Sequence, residues 1–451
     1  MVSYSKFSIL SIAASTIGAV VSAHEVPNGM DMSKYASKLK NTRVNSNVRQ
    51  GKADKGAKAS KEGIDSTGAL YTMTNDVENE ILVYSRDVSH GQLTFEGSVP
   101  TTGIGGQHLA VSASSIIVAG ECLLAVNSGS HDITTFRIKS PSEIKYAGKF
   151  ESNGFLPLSL AEKEGLVYAL NAGGNGSIQG YYLTQFNCGL IPFGSPVELR
   201  QNVDPGETEA PITEPVSFPG EVVFTPEGDL LVIIKINDAL LIPGTEGQTV
   251  LGPGSLNFYE IDPTDGSTSD DALTVVPVSF NGAGTAPFSF EADEYGRTII
   301  VEAASTIRGS SGAVTIYENG VLLDRLQTGE INSCWVAYQR EGSCIYTSNT
   351  GADSSISSLT LKHGPLELVN SRAAEPDIAV DFRLSNDGKY LYLLSNGNGG
   401  GGTSHIIVYE TSEECHLTEV QSMGDGFTQM SIFAGAFSDL NFEVGMAVYG
   451  L

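Results

Sequence analysis

The chain has 451 residues, of which 41% are hydrophobic and 17% charged, and its 52 acidic residues against 26 basic ones give a net charge of −26. Nucleic acid and anionic lipid repel so acidic a chain, so neither is a predicted partner. After residue 65 no second linker or shift in composition divides the sequence, so we predict one large domain there.

The N-terminus has the features of a secretory signal peptide. Lys6 precedes an apolar run from residue 7 to residue 21, and the small residues Ser22 and Ala23 suit signal peptidase. We predict cleavage after Ala23, with residues 1–23 as the signal peptide of a secreted, extracellular protein. A membrane anchor is the alternative, but the apolar run is short and no later run reaches about 18 apolar residues, so no stable membrane insertion is predicted.

Residues 24–65 form a basic segment. Between residues 34 and 61 there are nine basic residues and one acid, with almost no aromatic or β-branched residue to build a core. We predict a disordered linker or propeptide, and a tether to an anionic surface is the alternative. Beyond residue 61, 49 acids and 16 bases leave a net charge of −33, which favours solubility outside the cell.

From residue 66 onwards one six-residue pattern recurs seven times. Each copy is a β-rich run bounded by a turn residue; several follow a strand and a tight turn, and most precede an alternating strand and a weaker one. Four antiparallel strands per unit, without a convincing amphipathic helix, predict an all-β fold, a seven-bladed β-propeller over residues 66–451. The copies are residues 70–75, 122–127, 166–171, 230–235, 298–303, 344–349 and 391–396.

The two ends of this domain complement each other. The first copy lacks a preceding strand, whereas residues 444–449 have the composition of a strand without a successor. We predict that pairing of these N- and C-terminal strands closes the ring. Closure removes exposed sheet edges, so the protein is predicted to be a monomer.

The repeat resembles the lactonase-like β-propellers, a family that includes cytosolic 6-phosphogluconolactonase and fungal carboxymuconate cyclase. The closer match is to a secreted or exported branch. The resemblance implies a small-molecule ligand or substrate and a lactone hydrolase or cycloisomerase acting on a sugar-acid lactone or a muconolactone. The residues that carry the resemblance are 68–76, 166–174, 287–290, 301–303, 334–337, 346–351 and 390–394.

Two positions depart from the family pattern. The family's inner strand equivalent to residues 221–226 begins with His, and its next strand carries Glu, where this chain has Glu221 and Lys235. A swapped acid and base could still form a site, because a Lys of lowered pKa can act as base or nucleophile and a carboxylate can position water.

The inner strands of a propeller line its central channel, which makes the starts of these strands the default ligand site. We predict acid/base catalysis by Glu221, Lys235 and Glu302. Two alternatives stay open: a channel or rim that binds a small molecule or a protein without turnover, and a buried Glu221–Lys235 ion pair that only holds two strands together. The predicted ligand-binding residues are Gln107, His108, Trp335, Asp377 and Asp381, although Trp335 could equally be packing.

No cofactor is predicted. A Ca²⁺ ion in the channel would suit the acidic residues, but no regular Asp-rich loop is present and no ligands are assigned. The five cysteines lack metal-ligand spacing, and their odd number predicts at least one free or intermolecular thiol. Cys334 and Cys344 are the nearest pair in sequence, but the predicted hairpin sets Tyr338 opposite Cys344, which argues against their disulfide.

Asparagine carries two further predictions. Asn175-Gly-Ser is the only glycosylation sequon, and its loop-like surroundings predict that Asn175 is glycosylated. Asn also ends five of the seven repeat copies, where a structural role is predicted because Asn favours turn geometry after a strand.

Overall fold

The computed structural model shows a seven-bladed β-propeller, in which every regular element of the described ranges is a β-strand. The predicted signal peptide and most of the predicted basic segment lie outside the described residues, as do Gln107 and His108. The structure describes residues 67–106, 112–199, 218–236, 239–241, 249–251, 254–262, 264–269, 272–276, 285–305, 311–350, 353–362, 364–395, 405–424 and 446–450.

Thirty strands are described, and 28 of them form the blades. They are β1 (Thr67–Met73), β2 (Glu80–Asp87), β3 (Leu93–Pro100), β4 (Ile116–Ala119), β5 (Cys122–Asn127), β6 (Asp132–Ser140), β7 (Glu143–Glu151), β8 (Pro157–Lys163), β9 (Leu166–Asn171), β10 (Ser177–Thr184), β11 (Gly189–Glu198), β12 (Phe218–Phe224), β13 (Leu230–Ile236), β14 (Ala239–Leu241), β15 (Thr249–Leu251), β16 (Ser255–Tyr259), β17 (Leu273–Val275), β18 (Thr285–Ala292), β19 (Thr298–Ser305), β20 (Ala313–Glu318), β21 (Val321–Gln327), β22 (Ser333–Gln339), β23 (Cys344–Asn349), β24 (Ser355–Thr360), β25 (Glu367–Ala374), β26 (Ala379–Leu384), β27 (Tyr390–Ser395), β28 (His405–Thr411), β29 (Leu417–Gly424) and β30 (Met446–Tyr449).

Each blade is a four-stranded antiparallel sheet, and the seven blades contact one another in a ring. From the inner strand outwards, the blades are β30-β1-β2-β3, β4 to β7, β8 to β11, β12-β13-β16-β17, β18 to β21, β22 to β25 and β26 to β29, here blades 1 to 7. The hairpin β14-β15 is inserted within blade 4. The predicted fold is therefore confirmed.

The seven copies of the repeat form the second strand of each blade. Every residue of β5, β9, β23 and β27 is buried, because neighbouring blades cover both faces of these strands. A strand buried on both faces needs a continuous apolar run, which explains the strong signal in the sequence. Outer strands such as β25 are largely exposed and give a weak signal.

The C-terminal strand closes the ring, as predicted. β30 pairs antiparallel with β1, with Ala69 opposite Tyr449. Beyond β30, the backbone oxygen of Gly450 accepts hydrogen bonds from Arg86 Nη2 at 3.2 Å and from Asn386 Nδ2 at 2.9 Å. The buried Arg86 side chain thus fastens the end of β30 to blade 1, and Asn386 fastens it to blade 7.

Two disulfides join neighbouring blades at equivalent positions. Cys122 and Cys344 each begin the second strand of a blade, and they bond to Cys188 and Cys415, which lie in the turn before the fourth strand of the next blade. Cys334 is a free, buried thiol, so the prediction of an unpaired cysteine is confirmed.

One detail of the predicted hairpin is wrong. The register of β22 and β23 places Gln339 opposite Cys344 and Tyr338 opposite Ile345, one residue away from the prediction, because the turn between the strands is shorter than counted. The prediction that Cys334 and Cys344 form no disulfide is nevertheless confirmed.

Three of the repeated asparagines, Asn127, Asn171 and Asn349, connect strands through their side chains, and Asn396 lies outside the described residues. Asn349 Nδ2 donates to Ser355 Oγ at 2.9 Å and to Ser357 Oγ at 2.8 Å, while its Oδ1 accepts from Ser333 Oγ at 2.7 Å. Their role is structural, as predicted, but here the partners are hydroxyls of adjacent strands rather than the asparagine's own backbone.

Candidate functional site

Residues 112–115, just before β4, lie near the axis of the ring. The backbone oxygen of Ser114 accepts a hydrogen bond from Leu160 N of blade 3 at 2.9 Å. Trp335 Nε1 of blade 6 donates to the backbone oxygen of Ser112 at 3.1 Å. Blade 3 adjoins blade 2, whereas blade 6 lies across the ring. The segment therefore extends from blade 2 towards the axis.

Glu221 is buried on β12 and is directed towards this segment. Its Oε1 accepts a hydrogen bond from Ser114 Oγ at 2.8 Å, and its Oε2 accepts one from Phe290 N at 2.9 Å. Burial raises the pKa of Glu221 to about 8, although Arg383 and these hydrogen bonds oppose the rise and Glu291 adds to it. Near neutral pH the carboxyl group can therefore either hold or accept a proton.

Arg383 supplies a cation to the same place from β26. Its Nη1 donates to Asp381 Oδ1 and to Phe382 O, both at 2.9 Å, and its Nη2 donates to Ser114 Oγ at 3.4 Å. Successive strand residues point to opposite faces, so Asp381 and Arg383 share a face while Phe382 packs in the core. The Arg383 side chain is 23% exposed, whereas its partner Asp381 is buried.

Glu291 on β18 is the third carboxyl group near Arg383. Burial raises its pKa to about 7, against the opposing effect of Arg383. Although burial opposes it, attraction to Asp381, Glu221 and Glu291 raises the pKa of Arg383, which therefore stays charged. A single guanidinium does not offset three ionised carboxylates, so the group holds at least one proton near neutral pH. We call Ser114, Glu221, Glu291, Asp381 and Arg383 the channel cluster.

Lys235 has a separate environment on β13. Its Nζ lies 5.0 Å from the ring centroid of Phe288, and Phe288 packs edge-on against Trp335 with centroids 4.8 Å apart. Burial lowers the pKa of Lys235 to about 7, with Cys334 opposing. Trp335 is buried between Phe288 and Ser112, so its visible role is packing.

Glu302 on β19 is buried and forms an ion pair with Arg325 of the outer strand β21. Burial raises the pKa of Glu302 to about 7, with Arg325 opposing. Glu302 is thus paired towards the outer edge of blade 5, away from its inner strand.

The three predicted catalytic residues face one boundary but have different partners. Glu221 lies opposite Ile233, which packs against Ile300 of blade 5, and alternation sends Lys235 and Glu302 to the same boundary between blades 4 and 5. Among the described residues no ion pair joins Glu221 to Lys235. The cation near Glu221 is Arg383 of blade 7.

Asp377 and Asp381, two of the predicted ligand-binding residues, have different surroundings. Asp381 belongs to the channel cluster, whereas Asp377 is exposed before β26. Arg383 and Glu291 escaped the sequence analysis, although Arg383 follows Asp381 by two residues on a predicted strand and must share its face. Ser114 precedes a short strand and carries no periodic signal.

Within the described residues, no three His, Cys, Asp or Glu side chains are grouped to hold a metal ion, so the suggested Ca²⁺ gains no ligands there. No helix in those ranges is long and apolar enough to cross a membrane. Asn175 is partly exposed after β9, and its glycosylation stays a prediction.

A cleft lies away from the channel cluster. It has a volume of about 400 Å³ and lies between blades 3 and 4, where Tyr168, Phe193 and Thr268 are among its lining residues. Glu198 is the only ionisable acid, and no cation occurs, among its described lining residues. It therefore lacks the paired groups that the channel cluster provides.

Comparison with known proteins identifies the fold. No family model matches the chain, and no curated protein is significantly similar in sequence. A Bacteroides fragilis protein assigned provisionally as a 6-phosphogluconolactonase is 16% identical, with a TM-score of 0.58 over 81% of this chain and 97% of that one. The periplasmic gluconolactonase of Pseudomonas aeruginosa is 14% identical, with a TM-score of 0.58 over 85% and 99%.

A Lactobacillus plantarum protein is 15% identical, with a TM-score of 0.59 over 85% of this chain and 98% of that one. The chain thus has the fold of the 6-phosphogluconolactonase-like seven-bladed propellers, as the sequence predicted. At these identities the likeness concerns the fold alone, because one fold supports many activities.

Proposed function

We propose that this protein is a lactone hydrolase and that its channel cluster opens a small lactone of the sugar-acid or muconolactone type. One observation carries the proposal: the hydroxyl of Ser114 lies between the Glu221 carboxylate, at 2.8 Å, and the Arg383 guanidinium, at 3.4 Å. Attack on a carbonyl group requires a base at the attacking oxygen and a donor for the carbonyl oxygen, and Glu221 and Arg383 bring these two groups to one place.

Three side chains have distinct roles in this proposal. Arg383 Nη2 polarises the lactone carbonyl and stabilises the negative charge that develops on its oxygen. Ionised Glu221 accepts the proton of the attacking oxygen, and protonated Glu291 donates a proton to the ring oxygen that leaves. Burial brings the pKa values of both glutamates close to neutral, where transfer in either direction is feasible.

Lys235 and Glu302 have no catalytic role in this proposal. The contacts of Lys235 with Phe288 and of Glu302 with Arg325 suit residues that hold blades 4 and 5. The name of the Pseudomonas aeruginosa neighbour, a gluconolactonase, supports the substrate class.

A propeller that binds a sugar acid without turnover is the second candidate. It is favoured by the hydrogen bonds that both Glu221 oxygens already accept within the protein, since a satisfied carboxylate gains little by changing partners. In that case the partly exposed Arg383 would bind the ligand carboxylate.

We also propose that the protein is exported. Two disulfides between blades are typical of an oxidising compartment, and the apolar N-terminus and acidic composition agree with it.

Acid release from aldonolactones, homoserine lactones and muconolactones, followed in a pH-stat, tests the function. Turnover that falls in Glu221→Gln but not in Glu96→Gln would support the channel cluster, because Glu96 is an exposed carboxylate on an outer strand that also accepts a hydrogen bond from a serine. Sugar-acid binding by the folded protein without turnover of any lactone would favour the second candidate.

A further inference from the structure

Ser114 has an unusual backbone conformation. Its φ is +60°, in the left-handed region that residues other than Gly, Asn and Asp rarely adopt. The neighbouring bonds that hold it there are Leu160 N to Ser114 O at 2.9 Å and Val126 N to Ser115 O at 3.1 Å. Eleven other described residues besides glycine have a positive φ, so this conformation fixes the backbone at Ser114 without by itself marking a site.

The Ser114 hydroxyl contacts both Glu221 and Arg383. The residue is partly exposed, whereas Glu221 behind it is buried. Asp381 Oδ1 and Phe382 O accept from Nη1 of Arg383, which leaves Nη2 directed at the serine hydroxyl. Ser114 thus has a base on one side and an electrophilic cation on the other.

We propose that Ser114 is the catalytic nucleophile and forms a covalent acyl-enzyme with lactone and ester carbonyl groups. This inference rests on the proposed lactone hydrolysis, since it names the oxygen that attacks. Ser114 Oγ already donates a hydrogen bond to Glu221 Oε1 at 2.8 Å, as a nucleophile does to its general base.

The reaction balances in two steps without a redox partner. In the first, Glu221 accepts the Ser114 proton, Oγ bonds to the carbonyl carbon, and the bond from that carbon to the ring oxygen breaks. Glu291 donates a proton to the ring oxygen, which becomes a hydroxyl of the bound acyl group, and the proton held by Glu221 then passes through solvent to Glu291, so both groups return to their starting states. In the second, Glu221 accepts a proton from water, the resulting oxygen bonds to the acyl carbon, and Ser114 Oγ leaves and takes that proton back from Glu221.

A second serine–carboxylate pair provides a matched control. Ser85 Oγ donates to Glu96 Oε1 at 2.5 Å between β2 and β3 of blade 1. This pair is exposed and lies on the outer part of the blade, so its carboxylate is an ordinary surface acid. A hydrogen bond to a carboxylate is not sufficient to make a serine nucleophilic, so Ser85 should not react with acylating or phosphonylating probes.

The test uses the full chain and two probes, a small alkyl fluorophosphonate and p-nitrophenyl acetate. Intact mass and peptide mapping should show one phosphonyl adduct per chain on Ser114, and an acid quench should trap an acetyl group there. Ser85→Ala should retain labelling, and Glu221→Gln should slow it at least about tenfold, as expected when a general base is lost.

Ser114→Gly is the main variant, because Gly adopts a positive φ without strain and should fold even where Ser114→Ala does not. Its thermal unfolding is compared with that of the wild type. Loss of both adducts and of lactone hydrolysis in a folded Ser114→Gly protein supports the nucleophile.

Two results would overturn the inference in distinguishable ways. Hydrolysis that persists in Ser114→Gly would assign the attack to water and leave the proposed lactone hydrolase intact. Absence of any Ser114 adduct on the wild type with either probe would overturn the nucleophile whether or not a lactone substrate is found. Adducts on Ser114 without turnover of any lactone would instead retain the nucleophile and overturn the proposed substrate class.

Discussion

Glu221 and Ser114 are 107 residues apart in the chain, yet the carboxylate Oε1 of one lies 2.8 Å from the hydroxyl of the other. Glu221 comes from the inner strand of blade 4, and Ser114 comes from the segment that precedes the inner strand of blade 2. The contact exists because the ring brings the inner strands of its blades together around one axis. Arg383 of blade 7 completes it from a third direction.

Replacing Glu221 with Gln should abolish most of the activity. The amide keeps the size of the side chain but cannot accept the proton, so kcat/KM should fall by a factor of about 10² to 10⁴. Lactone turnover by the purified, folded variant is the measurement. Glu96→Gln on the outer strand β3 is the control, and an equal loss in that variant would show that the effect is not specific to the channel cluster.

The pH dependence of kcat/KM should be bell-shaped, with its maximum between pH values of about 7 and 8. The rate needs ionised Glu221, with a pKa of about 8, and protonated Glu291, with a pKa of about 7. Arg383 and Asp381 face both groups, so the two apparent pKa values belong to the cluster as a whole.

Glu291→Gln distinguishes the two limbs of this profile. Without the acid, the rate should be lower and should rise with pH without falling again on the alkaline side. A profile that keeps its alkaline limb in this variant would assign the general acid to another residue.

Lys235→Met should flatten the pH dependence of the stability above neutral pH. Burial lowers the pKa of Lys235 from 10.5 to about 7, with Cys334 as the opposing ionisable neighbour, so between these values the unfolded chain holds a proton that the folded protein lacks. The free energy of unfolding of the wild type should therefore rise with pH from about 7 to about 10.

Met keeps the packing against Gly220 and Phe288 and has no charge to bury. Urea unfolding across this pH range should show the rise in the wild type and a flatter profile in the variant. Parallel profiles would mean that Lys235 is already solvated as a cation in the folded protein.

Thiol counting should give no reactive cysteine in the native protein and one after unfolding without reductant. Four cysteines are paired, and burial of Cys334 raises its pKa to about 12, which suppresses the reactive thiolate. Removing the bridge with Cys122→Ser plus Cys188→Ser should lower the free energy of unfolding by about 2–5 kcal/mol. Chemical denaturation measures this loss, and more than one thiol after unfolding would contradict the pairing.

The sequence predicted the fold better than the site, for a physical reason. The second strands are buried on both faces, so residues such as 122–127 must be apolar, and that requirement is visible without the structure. The site instead depends on which blades meet across the axis. Glu221 and Asp381 could be named as candidates from their places on inner strands, whereas Ser114 lies on a segment without periodicity.

Cysteine pairing was hidden for the same reason. The partners are 66 and 71 residues apart and lie in neighbouring blades, so ring packing rather than hairpin register decides which sulfurs meet. For Lys235 and Glu302 the face of the strand follows from alternation, but the ionic partner does not. Alternation places both side chains at the boundary between blades 4 and 5, whereas the pairing of Glu302 with Arg325 is visible only in the structure.

The positions of the two disulfides determine how far the ring can fray. Its seam is the pairing of β30 with β1 in blade 1, which depends on hydrogen bonds and on the anchoring of Gly450. On one side of the seam a covalent bond holds blade 7 to blade 6, and on the other side one holds blade 2 to blade 3. Detachment of the last strand would then be a local, reversible opening confined to blades 7, 1 and 2, while the remaining blades stay assembled.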